Sequence, residues 1–320
     1  MSVHGIGLVA RQELRTRLRT GRWRVLMGVW FALVNGLALL FRISLEAGDT
    51  SSFGELGIPM FGGVLLGVLV LTLMVVPALG AQSINGDRER GTLAVLQTTR
   101  LTPLDITLGK FAAAWGTGLV VLAFTLPSVL WPVLEGAIGI GRAVVVLTVV
   151  ALLIGVICAI SLGWSALMVR SITSVLMSYL TVFFLLVCTP LLFGISLAFT
   201  EDDSARYSRS QPEQVWWMLA PNPVVILADA APRLDERIVV RGDYTYTESP
   251  DDPLGDIGRE VRKTRSGRSS YSYSRYKDEA GPVWPYGLAF NLLLAGGALF
   301  IASRRLRTPA HTIPKGVRLA

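Results

Sequence analysis

The chain has 320 residues, a mean hydropathy of +0.52 and only 17% charged residues. This composition excludes an ordinary soluble domain, and the length suffices for several membrane-spanning helices. The net charge of +7 does not indicate nucleic-acid binding, because most of it comes from arginines beside apolar segments. We therefore predict an all-α integral membrane protein.

The first predicted element is an amphipathic helix within residues 1–22. It combines apolar with basic side chains, namely Ile6, Leu8, Val9, Leu14 and Leu18 with Arg11, Arg15, Arg17 and Arg19. Such a helix is expected to lie in the lipid headgroup region on the anionic cytoplasmic face of the membrane. A simple positive-inside flank explains the arginines equally well, but it does not explain the apolar spacing.

Six apolar segments are long enough to span a membrane. Five of them fall within residues 23–199: about 23–43, about 57–79, a third that ends near residue 131 with a kink at Pro127, about 142–169, and about 174–199. The sixth is residues 283–303, and residues 304–320 form a basic tail. Basic residues concentrate on the segments that share a side with the N-terminus, which predicts that both termini are cytoplasmic.

A polar segment, residues 81–110, separates the second and third spans. It predicts a short amphipathic helix at about residues 84–97, in which Asn85 caps the first turn and Leu93 and Leu96 share a face. Thr102 and Asp105 then resemble a capping box that begins the next helix. A plain connector between two spans fits this composition as well.

The long segment at residues 200–282 is predicted to lie outside the cell. Its apolar part, residues 215–227, is interrupted by two prolines and is too short to span, which favours a pair of re-entrant or interfacial helices. The part that follows, with Asp251, Asp252 and the Ser/Tyr/Arg-rich residues 265–276, favours a loop or a small hairpin.

The run Asp87-Arg88-Glu89-Arg90-Gly91-Thr92-Leu93, followed by Leu96, Thr102-Pro103 and Gly109-Lys110, resembles the cytoplasmic coupling segment of type-2 ABC-transporter permeases. Arg90 stands where the family often has glutamate. The resemblance implies a multi-pass permease subunit of a bacterial exporter in the plasma membrane. It also implies an ATP-binding cassette subunit that holds ATP and magnesium, and a second permease chain that forms a homodimer or heterodimer with this one.

The resemblance also nominates functional residues in this sequence. Contact with the ATPase subunit is expected from Arg88, Glu89, Arg90, Gly91, Thr92, Leu93 and Leu96. The substrate pathway is expected to be lined by Thr72, Met74, Ser178, Thr181 and Phe184, although helix packing explains each of these equally well. The spans contain no Asp or Glu in their interiors, which argues against an ion-coupled carrier and mildly favours a lipophilic or amphipathic substrate.

No catalytic, cofactor-binding or metal-binding residue is predicted in this chain, and we expect it not to be an enzyme itself. The two histidines, His4 and His311, lie near opposite termini, so they cannot supply a His-rich site within the spans. Two alternatives remain open. One is a membrane-embedded enzyme that uses the outer acids Glu201, Asp202, Asp203, Asp251 and Asp252. The other is a membrane scaffold without transport, and membrane lipid is a partner in every reading.

Overall fold

Six helices are long and apolar enough to cross a membrane, so the chain is a multi-pass helical membrane protein. The structure is a computed structural model that describes residues 2–18, 21–47, 56–93, 96, 101–199, 212–234, 237–241, 244–248, 252–266 and 281–307. Among these residues the only strands form one small hairpin. The predicted fold class is confirmed.

The longer described helices are numbered here in chain order. The first half contains α1 (Val3–Leu18), α2 (Gly21–Ala47), α3 (Gly57–Ala81), α4 (Asn85–Glu89), α5 (Pro103–Ala123) and α6 (Leu126–Leu134). The second half contains α7 (Ile140–Leu167), α8 (Ser171–Phe183), α9 (Thr189–Phe199), α10 (Pro223–Ala230), α11 (Pro253–Ser266) and α12 (Trp284–Arg305). A π-helical turn, Phe184–Cys188, joins α8 and α9 into one span, and β1 (Arg237–Arg241) pairs antiparallel with β2 (Tyr244–Glu248).

The bundle is built around α7. In the most apolar stretch of this helix, 67% of the residues are buried. Helices α3 and α5 pack against α7, and 56% of the residues are buried in the most apolar stretch of each of these two spans. Close approach depends on small residues, since a Cβ atom on Gly118 of α5 would lie 2.5 Å from Cγ2 of Ile154 in α7. The first and fifth spans lie at the periphery, where only 22% and 17% of the residues in their most apolar stretches are buried.

Both ends of the described chain lie at the same end of the bundle, which we call the N-terminal face. Helix α1 packs on the start of α5, where Gly109 accommodates the side chain of Val9. At the other end of the chain, Leu306 packs in one apolar cluster with Ile84 and Leu93. An even number of spans therefore returns the chain to the face where it began.

The third span is interrupted close to the kink predicted at Pro127. Helix α5 ends at Ala123, and α6 begins at Leu126 with the proline in its first turn. Proline is tolerated there because the N–H groups of a first helical turn make no hydrogen bond within the helix. Thr125 between them is fully buried, and its hydroxyl donates to the Leu122 carbonyl at 2.7 Å.

At the opposite end of the bundle, the eight-residue helix α10 inserts among α3, α7 and α12. Ile226 and Leu227 are fully buried there and belong to the main core. The hairpin of β1 and β2 was not predicted, because it precedes the part from Asp251 onward for which a loop or a small hairpin was expected. Helix α11 was not predicted: its apolar face, with Leu254 and Val261, covers this end of the bundle, whereas most of residues 265–276 lies outside the described part of the chain.

Candidate functional site

The candidate site is the connector between the second and third spans, defined here as residues 82–93. It contains the single turn α4, and Gly91 follows with φ of +71°, a left-handed conformation that suits glycine. The helix predicted at 84–97 is interrupted by a turn at Arg90 and Gly91: Thr92, Leu93 and Leu96 are again helical, and residues 94, 95 and 97 lie outside the described part of the chain. The predicted cap at Asn85 is wrong, because Ile84 is the N-cap residue and makes no side-chain cap; the Asn85 side chain instead accepts from Arg88 Nη1 at 2.9 Å.

A buried cation, Lys110 of α5, lies at the base of the connector. Its side chain is 1% exposed, and Nζ forms an ion pair with Oδ2 of Asp87 and donates to the Ser83 carbonyl at 3.0 Å. Oε2 of Glu13, which comes from α1, lies 3.6 Å from the same nitrogen. A buried ammonium group is tolerated only with such partners, so three elements meet at this one charge.

The second carboxylate oxygen of Asp87 organises the connector itself. Oδ1 accepts from Nη2 of Arg90 at 3.1 Å and from Oγ1 of Thr92 at 3.2 Å. The Thr92 hydroxyl also lies 3.3 Å from the Asp87 carbonyl oxygen. Asp87 is therefore both the partner of Lys110 and the residue that holds the turn after α4 in place.

Two serines from neighbouring spans form hydrogen bonds with backbone groups where α3 ends and α4 begins. The hydroxyl of Ser165 in α7 accepts the N–H groups of Ile84 and Asn85 at 3.0 and 3.1 Å. The hydroxyl of Ser174 in α8 donates to the carbonyl of Ala81 at 3.0 Å. Both serines are buried. Their hydroxyl groups therefore supply hydrogen bonds to backbone N–H and C=O groups that lose their partners where one helix ends and the next begins.

The connector is also bonded to the turn between α7 and α8. Arg88 Nη1 donates to the carbonyl of Met168 at 3.1 Å. On the exposed side, Oε1 of Glu89 accepts from the hydroxyl and the N–H group of Ser171 at 2.7 and 3.3 Å. The connector is thus bonded to α5, α7 and α8 at the N-terminal face, and Lys110 of α5 in turn contacts Glu13 of α1.

The residues predicted to contact an ATPase subunit differ in exposure. Glu89, Arg90 and Thr92 are exposed, whereas Arg88 and Gly91 are half-buried. Leu93 is 8% exposed and packs with Ile106 and Leu162, and Leu96 packs partly on the same cluster. The shared face of the two leucines was correctly predicted, but its partner is this chain's own core, so Leu93 is not open to another protein.

The five residues predicted to line a pathway do not share one surface of this chain. Thr72 and Ser178 are each 1% exposed and donate to carbonyls of their own helices, as packing residues do. Thr181 is half-buried and accepts from Trp164 Nε1 at 2.9 Å. Met74 and Phe184 lie on the outside of the bundle.

Three participants in this junction were missed from the sequence, namely Glu13, Ser165 and Ser174. The available signal was chemical: Glu13 is the only acid in an otherwise basic helix, and the two serines interrupt apolar spans. Spacing alone could not show that the two serines bond to residues 81–85 and that Glu13 reaches Lys110. Their partners lie tens of residues away in the sequence.

No protein-family model matches this chain, and no curated protein matches it either.

Proposed function

We propose that this chain is the permease subunit of an ATP-driven ABC transporter, energised by a separate ATP-binding subunit through the connector. The observation that carries the proposal is the attachment of one partly exposed polar segment to three spans at once. Glu89, Arg90 and Thr92 face solvent. On the inner side, Asp87 is paired with Lys110, and the N–H group of Ile84 bonds to Ser165. A force applied to the exposed side would therefore reach several spans together.

The proposed mechanism treats the connector as a rigid lever. The ion pair between Lys110 and Asp87 links it to the third span, and Ser165 and Ser171 link it to the fourth and fifth. When ATP and magnesium close the partner subunits, their movement displaces the connector, and the spans shift with it because packed helices move as units. The similarity of residues 87–93 to the coupling segment of type-2 permeases supports the same role.

The distribution of basic residues supports a cytoplasmic position for the connector, where ATP is available. Arg88, Arg90, Arg170, Arg304 and Arg305 all belong to the N-terminal face or to the ends of spans that reach it. Arginine enrichment of this kind marks the cytoplasmic side of a membrane protein. We propose the bacterial plasma membrane, with both termini in the cytoplasm.

The exposed outer spans support a second permease chain, identical or homologous. The fifth span buries only 17% of its most apolar stretch, and its large exposed residues include Leu176, Leu180 and Phe183. Lipid covers part of this surface, and we propose that a second permease covers the rest. Met74 and Phe184 remain candidates for the pathway between the two chains, which we propose exports a lipophilic or amphipathic substrate.

The test is co-purification of the tagged chain from its native membrane, followed by an ATPase assay on the complex. We expect a stoichiometric ATP-binding subunit. The double variant Glu89→Ala with Arg90→Ala should insert normally and lower substrate-stimulated ATPase activity about fivefold, as expected for a loss of ~1 kcal/mol at an interface.

Gln82→Ala is the matched control, since Gln82 is an exposed residue of the same connector. It should leave activity unchanged. An ATPase activity in the Glu89 and Arg90 variant equal to that of the wild type would remove the connector from the contact. Recovery of the chain alone in gentle detergents would favour a membrane scaffold without transport.

A further inference from the structure

A cleft of about 660 Å³ lies between helix α1 on one side and Leu96 and Leu101 on the other. One wall is a single face of α1 that includes Leu8, Arg11 and Arg15, and the other wall includes Leu96 and Leu101. Helix α1 ends only three positions before the start of α2, which places it at the level of the membrane surface. The cleft therefore opens where lipid headgroups lie.

The charge of the cleft is positive and is not neutralised within the described part of the protein. Arg11 and Arg15 are exposed and one helical turn apart, and neither guanidinium has a hydrogen-bond or ion-pair partner among the described residues. The nearby acid Glu13 is directed to Lys110 on α5 instead. Two like charges at this spacing repel each other unless an anion lies between them.

The lining also contains an apolar part. Leu8 is 51% exposed although it faces the cleft, and Leu101 opposite it is half-buried. Water-exposed leucines beside paired arginines match a ligand with an anionic group and a hydrocarbon segment. The volume exceeds what a phosphate ion alone would fill.

We propose that this cleft binds an anionic membrane phospholipid, with its phosphate between Arg11 and Arg15 and the start of an acyl chain against Leu8 and Leu101. Guanidinium groups bind phosphate through charge-assisted, often bidentate hydrogen bonds. The bound lipid bridges α1 and Leu101, which lies just before the start of α5. This site is independent of the transport proposal, because it requires only that the chain resides in a membrane.

The test uses the full chain in detergent, with native mass spectrometry to count bound lipids and thermal unfolding to follow stability. The probes are phosphatidylglycerol, phosphatidylcholine and inorganic phosphate. We expect retention of phosphatidylglycerol and a higher unfolding temperature with that lipid than with phosphatidylcholine. Arg11→Gln with Arg15→Gln should weaken phosphatidylglycerol binding about thirtyfold, as two basic residues near a lipid surface imply.

The control is Arg170→Gln with Arg304→Gln, which removes the same charge from exposed positions outside the cleft. It should bind phosphatidylglycerol as the wild type does. Leu8→Gln provides a second variant on an exposed residue and should weaken lipid binding without affecting any response to inorganic phosphate.

Three outcomes would overturn the proposal. They are wild-type phosphatidylglycerol binding in the Arg11 and Arg15 variant, equal loss of binding in the control, and equal stabilisation by inorganic phosphate and by the lipid. The unfolding temperature in phosphatidylcholine verifies that each variant is folded.

Discussion

Replacing Lys110 by Met should be among the most destabilising single changes at the N-terminal face. The substitution removes the ammonium group that lies between Asp87 and Glu13 but keeps a side chain of similar length. Asp87 then remains in a site where it is 8% exposed, and it has lost its closest counter-charge. Removing one partner of a buried pair typically costs about 3–5 kcal/mol.

The structure favours the lower end of that range. Asp87 keeps its bonds from Arg90 and Thr92. Glu13 loses little, because its carboxylate is 25% exposed and lies 3.6 Å from the Lys110 nitrogen. We therefore expect the free energy of unfolding to fall by about 3 kcal/mol. The double variant Lys110→Met with Asp87→Asn should recover about half of this loss, because it removes the uncompensated carboxylate as well.

The assay is reversible unfolding in mixed micelles, with free energies compared in a double-mutant cycle. Lys263→Met on α11 is the control, since Lys263 is an exposed lysine at the opposite end of the bundle, and it should change the free energy by less than about 0.5 kcal/mol. A Lys110→Met variant as stable as this control would refute the reasoning. So would a double variant that loses the sum of the two single effects, because coupled residues are not additive.

The remaining predictions concern the opposite end of the bundle. Asn222→Ala should lower the free energy of unfolding by about 3 kcal/mol, because the Asn222 amide donates to the Leu186 carbonyl in the π turn at 3.0 Å and accepts from the Val224 N–H group. A free energy of unfolding equal to that of the wild type would contradict the proposed role of these hydrogen bonds. Gly287→Ala should also destabilise, by about 2 kcal/mol, since its Cβ would lie 1.8 Å from the Ala220 carbonyl oxygen, whereas Gly297→Ala in the same helix meets no atom within 4 Å and should be neutral. Equal unfolding midpoints for the two glycine variants would count against the close approach of α12 to residue 220.

Features encoded by neighbouring residues were predictable from the sequence. The capping box is the clearest example: the Thr102 hydroxyl accepts the Asp105 N–H group at 3.2 Å, and the Asp105 carboxylate accepts the Thr102 N–H group at 3.1 Å. All of its atoms lie within one helical turn, so the pattern of residues defines the geometry. The six spans were predictable for a related reason, because hydropathy over about twenty residues determines whether a helix can cross a bilayer.

Features that depend on distant residues were not predictable. Asn85 has the right side chain for a helix cap, but the hydroxyl of Ser165 from another span takes that role. Helix α11 was missed because Asp252 and Pro253 indicate a turn, although Asp252 in fact accepts the Gly255 N–H group at the start of the helix. In both cases tertiary contacts decide between local conformations that the sequence leaves nearly equal in energy.

The central claim is that the exposed side of the connector contacts an ATP-binding subunit. The most direct measurement places a photo-crosslinking amino acid at Arg90, whose side chain is 67% exposed, and irradiates cells in which all partners are present. The same probe at Phe199, which is 84% exposed at the opposite end of the fifth span, is the control. We expect position 90 to capture a protein that binds and hydrolyses ATP, and we expect position 199 not to capture it. Capture of that ATPase from position 199, or its absence from both adducts, would contradict the account.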